Sequence, residues 1–132
     1  MQTLAYCPPL FASRVSAGFP SPAHDYIDKR LDLNELLVPR PAATLFFWVR
    51  DDAMRPATLW PGDILIADRS LKASHNRIVL ARVHGETLVR RLVTNGKTGR
   101  LVADNPEYPA IELKEGLDYR ILGVVRYRIG EL

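Results

Sequence analysis

The feature that most constrains this chain is a series of short apolar runs separated by turn-forming residues. The runs are rich in β-branched and aromatic side chains, which favour strands, and Pro, Gly, Asn and Asp occupy the gaps between them. The runs cover residues 45–49, 64–67, 78–83, 87–93, 101–103 and 119–129. This pattern predicts a mostly β fold.

Two glycines mark details of the predicted strands. The segment His84-Gly85-Glu86 separates two of the runs, and a glycine at the tip predicts a hairpin there. Gly123 interrupts the last and longest run. Because glycine weakens a strand interior and often marks an irregularity, it predicts a bend or bulge at that point.

The N-terminal part of the chain has a different character. Residues 1–21 contain three prolines and several serines with no persistent period, which predicts an extended arm. Residues 24–38 carry leucines at helical spacing and acidic residues near their start, which predicts a short helix or two helical turns ending before Pro39. The remainder, residues 22–132, has the length and the 47% hydrophobic content of one globular domain.

Several classes of protein are disfavoured by composition. The single cysteine, Cys7, allows no internal disulfide, which suits a reducing compartment. The three histidines show no metal-ligand spacing, and neither a cofactor motif nor a run long enough to cross a membrane is present. The net charge of +3 is scattered, which favours a solvated surface over a dedicated nucleic-acid binder.

A set of ordered motifs carries a family resemblance over residues 17–129. The motifs are Gly18-Phe19-Pro20-Ser21-Pro22-Ala23, Asp25-Tyr26-Ile27, Leu31-Asp32-Leu33-Asn34-Glu35-Leu36-Leu37, Pro61-Gly62-Asp63-Ile64-Leu65-Ile66-Ala67-Asp68, Asn105-Pro106-Glu107-Tyr108 and Leu122-Gly123-Val124-Val125. In order and spacing they resemble the LexA/UmuD (peptidase S24) family, and its UmuD-like members in particular.

The resemblance implies a fold of curved β-sheets shared with signal peptidases, with one or two short helices and an extended N-terminal arm. It implies a cytoplasmic homodimer, or a heterodimer with a competent relative. It also implies an arm that is cut when RecA–single-stranded-DNA filaments form, here at the Ala17–Gly18 bond, and a trimmed product that joins a Y-family translesion polymerase. No cofactor, metal or membrane is implied.

The two reactive groups of that family are replaced in this chain. The family motif Gly-Asp-Ser-Met reads Asp51-Asp52-Ala53-Met54, and Arg90 stands where the general-base lysine is expected. Alanine has no oxygen to attack a carbonyl, and a guanidinium cannot give up its proton at any accessible pH. The hydroxyls of Thr58, Ser70 and Ser74 could in principle replace the missing nucleophile, but nothing in their sequence context indicates activation.

A permanent cation at a buried lysine position needs a partner or water. We therefore expect the carboxylate of Asp51, or else that of Asp52, to form an ion pair with Arg90 that fills the inactive site. The alternative is that the side chain of Arg90 points into solvent. Natural loss of the dyad is a better explanation than deliberate substitution, because Asp51 replaces a glycine that no study of catalysis would need to alter. Of the tryptophans that flank the site, Trp48 is expected in the core and Trp60 half-exposed beside the old groove.

These residues are compatible with three functions. The first is a UmuD-like binding module of the SOS response that contacts a translesion polymerase or the RecA filament. The second is an active protease with an unrecognised nucleophile, or a chain cut in trans by a competent protomer. The third is a small basic DNA-binding protein.

Overall fold

The computed structural model describes residues 31–132, which belong to two units, with one ending at Pro41 and the other comprising Ala42–Leu132. The predicted arm at residues 1–21 lies outside the described residues. The described part of the first unit, residues 31–41, contains one helix, α1 (Leu33–Leu37).

Helix α1 begins at a side-chain cap. The carboxylate of Asp32 accepts the backbone N–H of Asn34 at 2.9 Å and of Glu35 at 3.4 Å, which satisfies two donors that a helix start leaves free. Of the helix predicted over residues 24–38, residues 24–30 lie outside the described residues. Leu31 and Asp32 are not helical, because the capping residue takes an extended conformation.

One antiparallel sheet of seven strands dominates the second unit. The strands are β1 (Thr44–Trp48), β2 (Ile64–Asp68), β3 (Ile78–Val83), β4 (Glu86–Thr94), β5 (Gly99–Val102), β6 (Ile111–Leu113) and β7 (Tyr119–Ile129). Their order across the sheet is β1-β2-β7-β3-β4-β5-β6, and short 3-10 helices cover Pro41–Ala43 and Arg55–Ala57. The mostly β fold predicted from the sequence is confirmed.

The hairpin between β3 and β4 has the tight turn that its glycine predicted. Val83 pairs with Glu86, so only His84 and Gly85 form the loop. Their φ angles are 50° and 80°, and two successive positive φ values are the mark of a type I′ turn, whose twist matches that of the strands.

The irregularity predicted at Gly123 is a β-bulge. Leu80 of β3 pairs with Gly123, but the next residue, Ala81, pairs with Ile121, so Leu122 is the extra residue of β7. At the bulge the backbone of Asp68 comes very close, since a Cβ placed on Gly123 would lie 3.2 Å from both the carbonyl carbon and the carbonyl oxygen of Asp68. Glycine is therefore needed here for space.

We expect Gly123→Ala to lower the free energy of unfolding by about 1–3 kcal/mol, because the added methyl group would lie 3.2 Å from the backbone of Asp68 in the paired strand, which would have to shift. Gly99→Ala is the matched control: it is also a strand glycine, but its added methyl group would meet neighbours at an ordinary 3.6 Å. Urea unfolding followed by circular dichroism measures both variants. Equal stability of the two would contradict the steric argument.

Two clusters of buried side chains make up the core. The first consists of Val49, Met54, Leu59, Leu65, Ala67, Leu80 and Val89. The second consists of Val79, Ala81, Val83, Leu92, Leu101 and Val124. Because the first cluster includes three residues of the segment between β1 and β2, core packing anchors the segment that carries position 53.

The prediction that Trp48 belongs to the core is wrong. Its neighbour Phe47 packs against the first cluster, and the two-residue period of a strand therefore turns Trp48 to the opposite face. There it is 60% exposed and lies in register with Ile64 of β2, which in turn pairs with Ile129 of β7. Trp48, Ile64 and Ile129 form an apolar row across three strands, and Ile129 is 41% exposed.

Candidate functional site

The segment that carries the nucleophile position is held tightly. Ala53 and Met54 are both fully buried. The backbone N–H of Ala53 donates to Oδ1 of Asp51 at 3.0 Å, which is the local turn that an aspartate side chain commonly makes two residues ahead of itself. The donor next to the missing hydroxyl is therefore already engaged by a carboxylate.

Arg90 lies in the middle of β4, paired with Val79 of β3, and is only 6% exposed. Its Nη1 donates to the carbonyl of Val89 at 2.8 Å, and the centre of its guanidinium lies 5.3 Å from the ring centroid of Tyr108, which is within cation–π range. Its Nε is buried and has no hydrogen-bond partner among residues 31–132. The arginine thus stays inside, with part of its hydrogen-bonding capacity unused.

The two neighbouring carboxylates have different partners. Oδ2 of Asp51 lies 4.0 Å from Nη1 of Arg90, which is the outer limit of an ion pair and too long for a hydrogen bond. Asp52 instead accepts the hydroxyl of Tyr108 at 2.7 Å. The structure therefore brings Asp51, rather than Asp52, to the predicted partner.

The loop after β5 supplies site residues that sequence reasoning did not identify. Asn105 donates through its backbone N–H to the carbonyl of Ala53 at 2.9 Å and through Nδ2 to the carbonyl of Asp52 at 3.2 Å. Tyr108 adds the contacts described above. The motif Asn105-Pro106-Glu107-Tyr108 carried part of the family resemblance, so the signal was present, but nothing local in it indicated a contact with residues 52 and 53.

A bidentate ion pair ties this loop to β4. Nε and Nη2 of Arg91 donate to the two carboxylate oxygens of Asp104 at 3.0 and 2.8 Å, and Nη1 donates to the carbonyl of Asn76 at 2.8 Å. The hydrogen bonds that Arg91 donates to Asp104 raise the pKa of Arg91; burial opposes this rise, and the charge of Asp104 adds a smaller increase. Paired geometry of this kind fixes orientation, so the loop is held in place beside the site.

A groove of about 540 Å³ opens next to these residues. Its lining consists of Phe47, Arg50, Asp51, His84, Gly85, Glu86, Thr87, Leu88 and Val89. Strand β4 pairs with β3 over residues 86–91 but with β5 only from Arg91 onward. Within residues 31–132, the other edge of residues 86–90 therefore has no strand partner and can pair with an extended segment, although the carbonyl of Val89 already accepts Nη1 of Arg90.

The remaining residues considered from the sequence lie in ordinary surroundings. The hydroxyl of Thr58 donates to the carbonyl of Ala57 at 2.6 Å, and that of Ser70 donates to the carboxylate of Asp68 at 2.6 Å. Trp60 is 45% exposed, with Arg55 stacked on its ring, and it is not part of the groove lining. The Ala17–Gly18 bond lies outside the described residues.

Two further findings concern residues 31–132 alone. Among them, no group of three or more His, Cys, Asp or Glu side chains is arranged to hold a metal ion. None of the helices in this part of the chain has the length and hydrophobicity needed to cross a membrane.

The Tyr108–Asp52 contact predicts a pH effect. The hydrogen bond to Asp52 raises the pKa of Tyr108 above its ordinary value of about 10, with desolvation and the charges of Asp52 and Asp51 acting in the same direction. A raised pKa means that this contact stabilises the fold below pH ~10 and that its contribution is lost as the pH rises through the folded-state pKa of Tyr108.

A tyrosinate absorbance titration of the wild type minus that of Tyr108→Phe isolates this group. We expect the difference curve to have its midpoint above pH ~10, and we expect Asp52→Asn to move the midpoint down. A midpoint that Asp52→Asn leaves unchanged would show that the carboxylate is not the cause.

The chemistry open to this site follows from the side chains at positions 53 and 90. Position 53 offers no nucleophile, Arg90 offers a fixed positive charge rather than a base, and the adjoining groove and open strand edge suit an extended peptide. The site therefore combines a fixed cation with a groove, and it has no hydroxyl at position 53 and no base at position 90.

Comparison with known proteins gives a family match and several relatives. The sequence model of the family described as Peptidase S24-like matches residues 9–126. The chain is 39% identical to Protein ImpA of Salmonella typhimurium over 129 residues, 97% of this chain and 89% of that protein. It is 41% identical to Protein SamA of Salmonella typhimurium (strain LT2) over 117 residues, 89% of this chain and 81% of that protein.

A more distant relative is the LexA repressor of Acidovorax sp., 31% identical over 112 residues, which are 84% of this chain and 49% of that protein. The family predicted from the sequence is therefore confirmed. Since the match covers most of its length and the observed fold is mostly β, the chain belongs to the Peptidase S24-like family.

Proposed function

We propose that this protein is a UmuD-like accessory protein of translesion DNA synthesis in the SOS response, and that it has lost self-cleavage. The single observation that carries the proposal is the pair of replacements at the site. Ala53 is fully buried at the nucleophile position, and Arg90 is buried at the base position. Loss of a serine-protease nucleophile alone lowers the rate by roughly 10⁶-fold, so the fold is retained for binding.

The relatives support the accessory role. Proteins ImpA and SamA are 39% and 41% identical to this chain, whereas the LexA repressor is 31% identical. The higher identity supports a UmuD-like protein rather than a repressor. The partners that we propose are a Y-family polymerase and the RecA–single-stranded-DNA filament, both cytoplasmic.

We further propose that the protein acts as a dimer, with itself or with a competent relative. The apolar row of Trp48, Ile64 and Ile129 supports a partner-binding surface, because aromatic and aliphatic side chains exposed together on one face mark interaction sites. Without its own nucleophile the protein keeps its arm unless another protomer cuts the Ala17–Gly18 bond. A retained arm would restrain mutagenic synthesis.

The test is incubation of the purified protein with activated RecA filaments, followed by measurement of the intact mass. We expect the full-length mass to persist. The same incubation with a competent UmuD-like relative present tests cleavage in trans. A fragment that begins at Gly18 from the purified protein alone would establish an active protease and overturn the proposal.

A further inference from the structure

The charged groups around position 53 form an incomplete anion site. One carboxylate, that of Asp51, lies between two donors: Oδ1 accepts the N–H of Ala53 at 3.0 Å, and Oδ2 approaches Nη1 of Arg90 to 4.0 Å. A carboxylate in this position stands where the anionic end of a bound peptide would meet a backbone donor and a cation.

The ion pair between Asp51 and Arg90 has poor geometry. At 4.0 Å the pair forms no hydrogen bond, and the buried Nε of Arg90 has no hydrogen-bond partner in the described part of the chain. A buried guanidinium with an unused donor carries a desolvation cost that a better-placed anion would relieve. Two parallel N–H···O bonds to one carboxylate are the arrangement that a guanidinium fits best.

The groove provides a route to this position. Its lining includes both Asp51 and Val89, the immediate neighbour of Arg90, and the unpaired edge of residues 86–90 leads along β4 toward Arg90. A peptide that adds as a strand to this edge satisfies its own backbone through main-chain hydrogen bonds. If such a peptide ends at the site, its terminal carboxylate meets Arg90.

Asp51 and Asp52 differ in how readily they move. The side chain of Asp51 is 40% exposed, so it can turn outward without repacking the core. Asp52 is held by the hydroxyl of Tyr108 at 2.7 Å and its carbonyl by Asn105. The carboxylate of Asp51 is therefore the easier of the two to displace, at the cost of the hydrogen bond that it accepts from the N–H of Ala53.

We propose that the inactive site binds the free C-terminal carboxylate of an extended peptide, and that Asp51 is an exchangeable internal competitor for that position. This inference rests on the proposed function, because a site that cuts peptides would not be occupied in this way by an internal carboxylate.

The probe is a peptide of residues 11–17 of this chain, labelled at its N-terminus and made in two forms, with a free C-terminal carboxylate and with a C-terminal amide. Fluorescence anisotropy with the full-length protein measures the affinity of each. We expect the acid to bind at least about tenfold more tightly than the amide, the factor that a hydrogen bond to a charged group supplies. Asp51→Asn should raise the affinity for the acid by about another tenfold and leave the amide unchanged.

Glu86→Gln is the matched control, since it removes one negative charge from the same groove. If Glu86→Gln raises the affinity for the acid as much as Asp51→Asn does, general repulsion explains the effect and the proposal fails. Arg90→Gln should abolish the preference for the acid, whereas Arg90→Lys should retain it. Because Arg90 is buried, circular dichroism checks that both variants fold.

Equal affinity for the acid and the amide, or no binding to Asp51→Asn at millimolar peptide, overturns the inference. The intact mass of the same samples separates the two proposals. A fragment that begins at Gly18 would defeat the proposed function, whereas equal binding by an intact chain would defeat the carboxylate site alone.

Discussion

Asp51→Gly, Ala53→Ser and Arg90→Lys introduced together are expected to yield a protein that cuts its own Ala17–Gly18 bond in the presence of RecA filaments. Serine restores the attacking hydroxyl, and a lysine at a position where the present side chain is 6% exposed has its pKa lowered by burial, so it can accept the proton. Glycine frees the N–H of residue 53 that Asp51 now occupies, and such a donor stabilises an oxyanion.

The expected effect is large, on the order of 10⁶-fold over the wild type, which is the difference that a serine-protease nucleophile makes. Ala53→Ser alone has a hydroxyl beside a guanidinium that cannot take its proton, and Arg90→Lys alone has a base with nothing to activate. Both single variants should remain intact in a time course followed by mass spectrometry.

The matched control is the double variant Asp51→Gly with Arg90→Lys, which shares every change except the hydroxyl. Cleavage in the triple variant but not in this control assigns the chemistry to residue 53. A triple variant that folds, as shown by circular dichroism, yet stays uncut would mean that the scaffold has lost more than the groups at these three positions.

Met54→Ala is expected to lower the free energy of unfolding by about 2–5 kcal/mol, the range for removing a large buried side chain from a core. Met54 is fully buried in the first core cluster. Its sulfur accepts the backbone N–H of Asp104 at 3.4 Å, so the same side chain joins the segment at position 53 to the loop that carries Tyr108.

Met54→Leu separates these two roles. It nearly preserves the volume and should cost less than about 1.5 kcal/mol, although it removes the sulfur acceptor. Urea unfolding of both variants gives the comparison. If Met54→Leu proves as destabilising as Met54→Ala, the contact with Asp104 matters more than the filled volume.

Much of the fold was predictable because its signals are local. The turn at His84 and Gly85 follows from the backbone freedom of glycine, and the bulge at Gly123 follows from a glycine that interrupts an apolar run. Strand β6 (Ile111–Leu113) was not predicted, because three residues with a glutamate at the centre give too short a pattern. The exposure of Trp48 was also missed, since hydrophobicity alone does not tell which face of an edge strand is covered.

The candidate site likewise has features that the sequence predicted and features that it did not. The absence of a hydroxyl at position 53 and of a base at position 90 was visible in Ala53 and Arg90, because the chemistry of a side chain follows from its type. The contacts of Asn105 and Tyr108 with residues 52 and 53 join segments more than fifty positions apart, and no local pattern specifies such a pairing.

The chemical groups at positions 53 and 90 follow from the amino-acid sequence alone, since alanine has no hydroxyl and arginine cannot act as a base. The tertiary structure alone decided which carboxylate faces the arginine. Asp51 and Asp52 are chemically identical neighbours, and only the folding of the loop after β5 places Tyr108 where it holds one of them and leaves the other to Arg90.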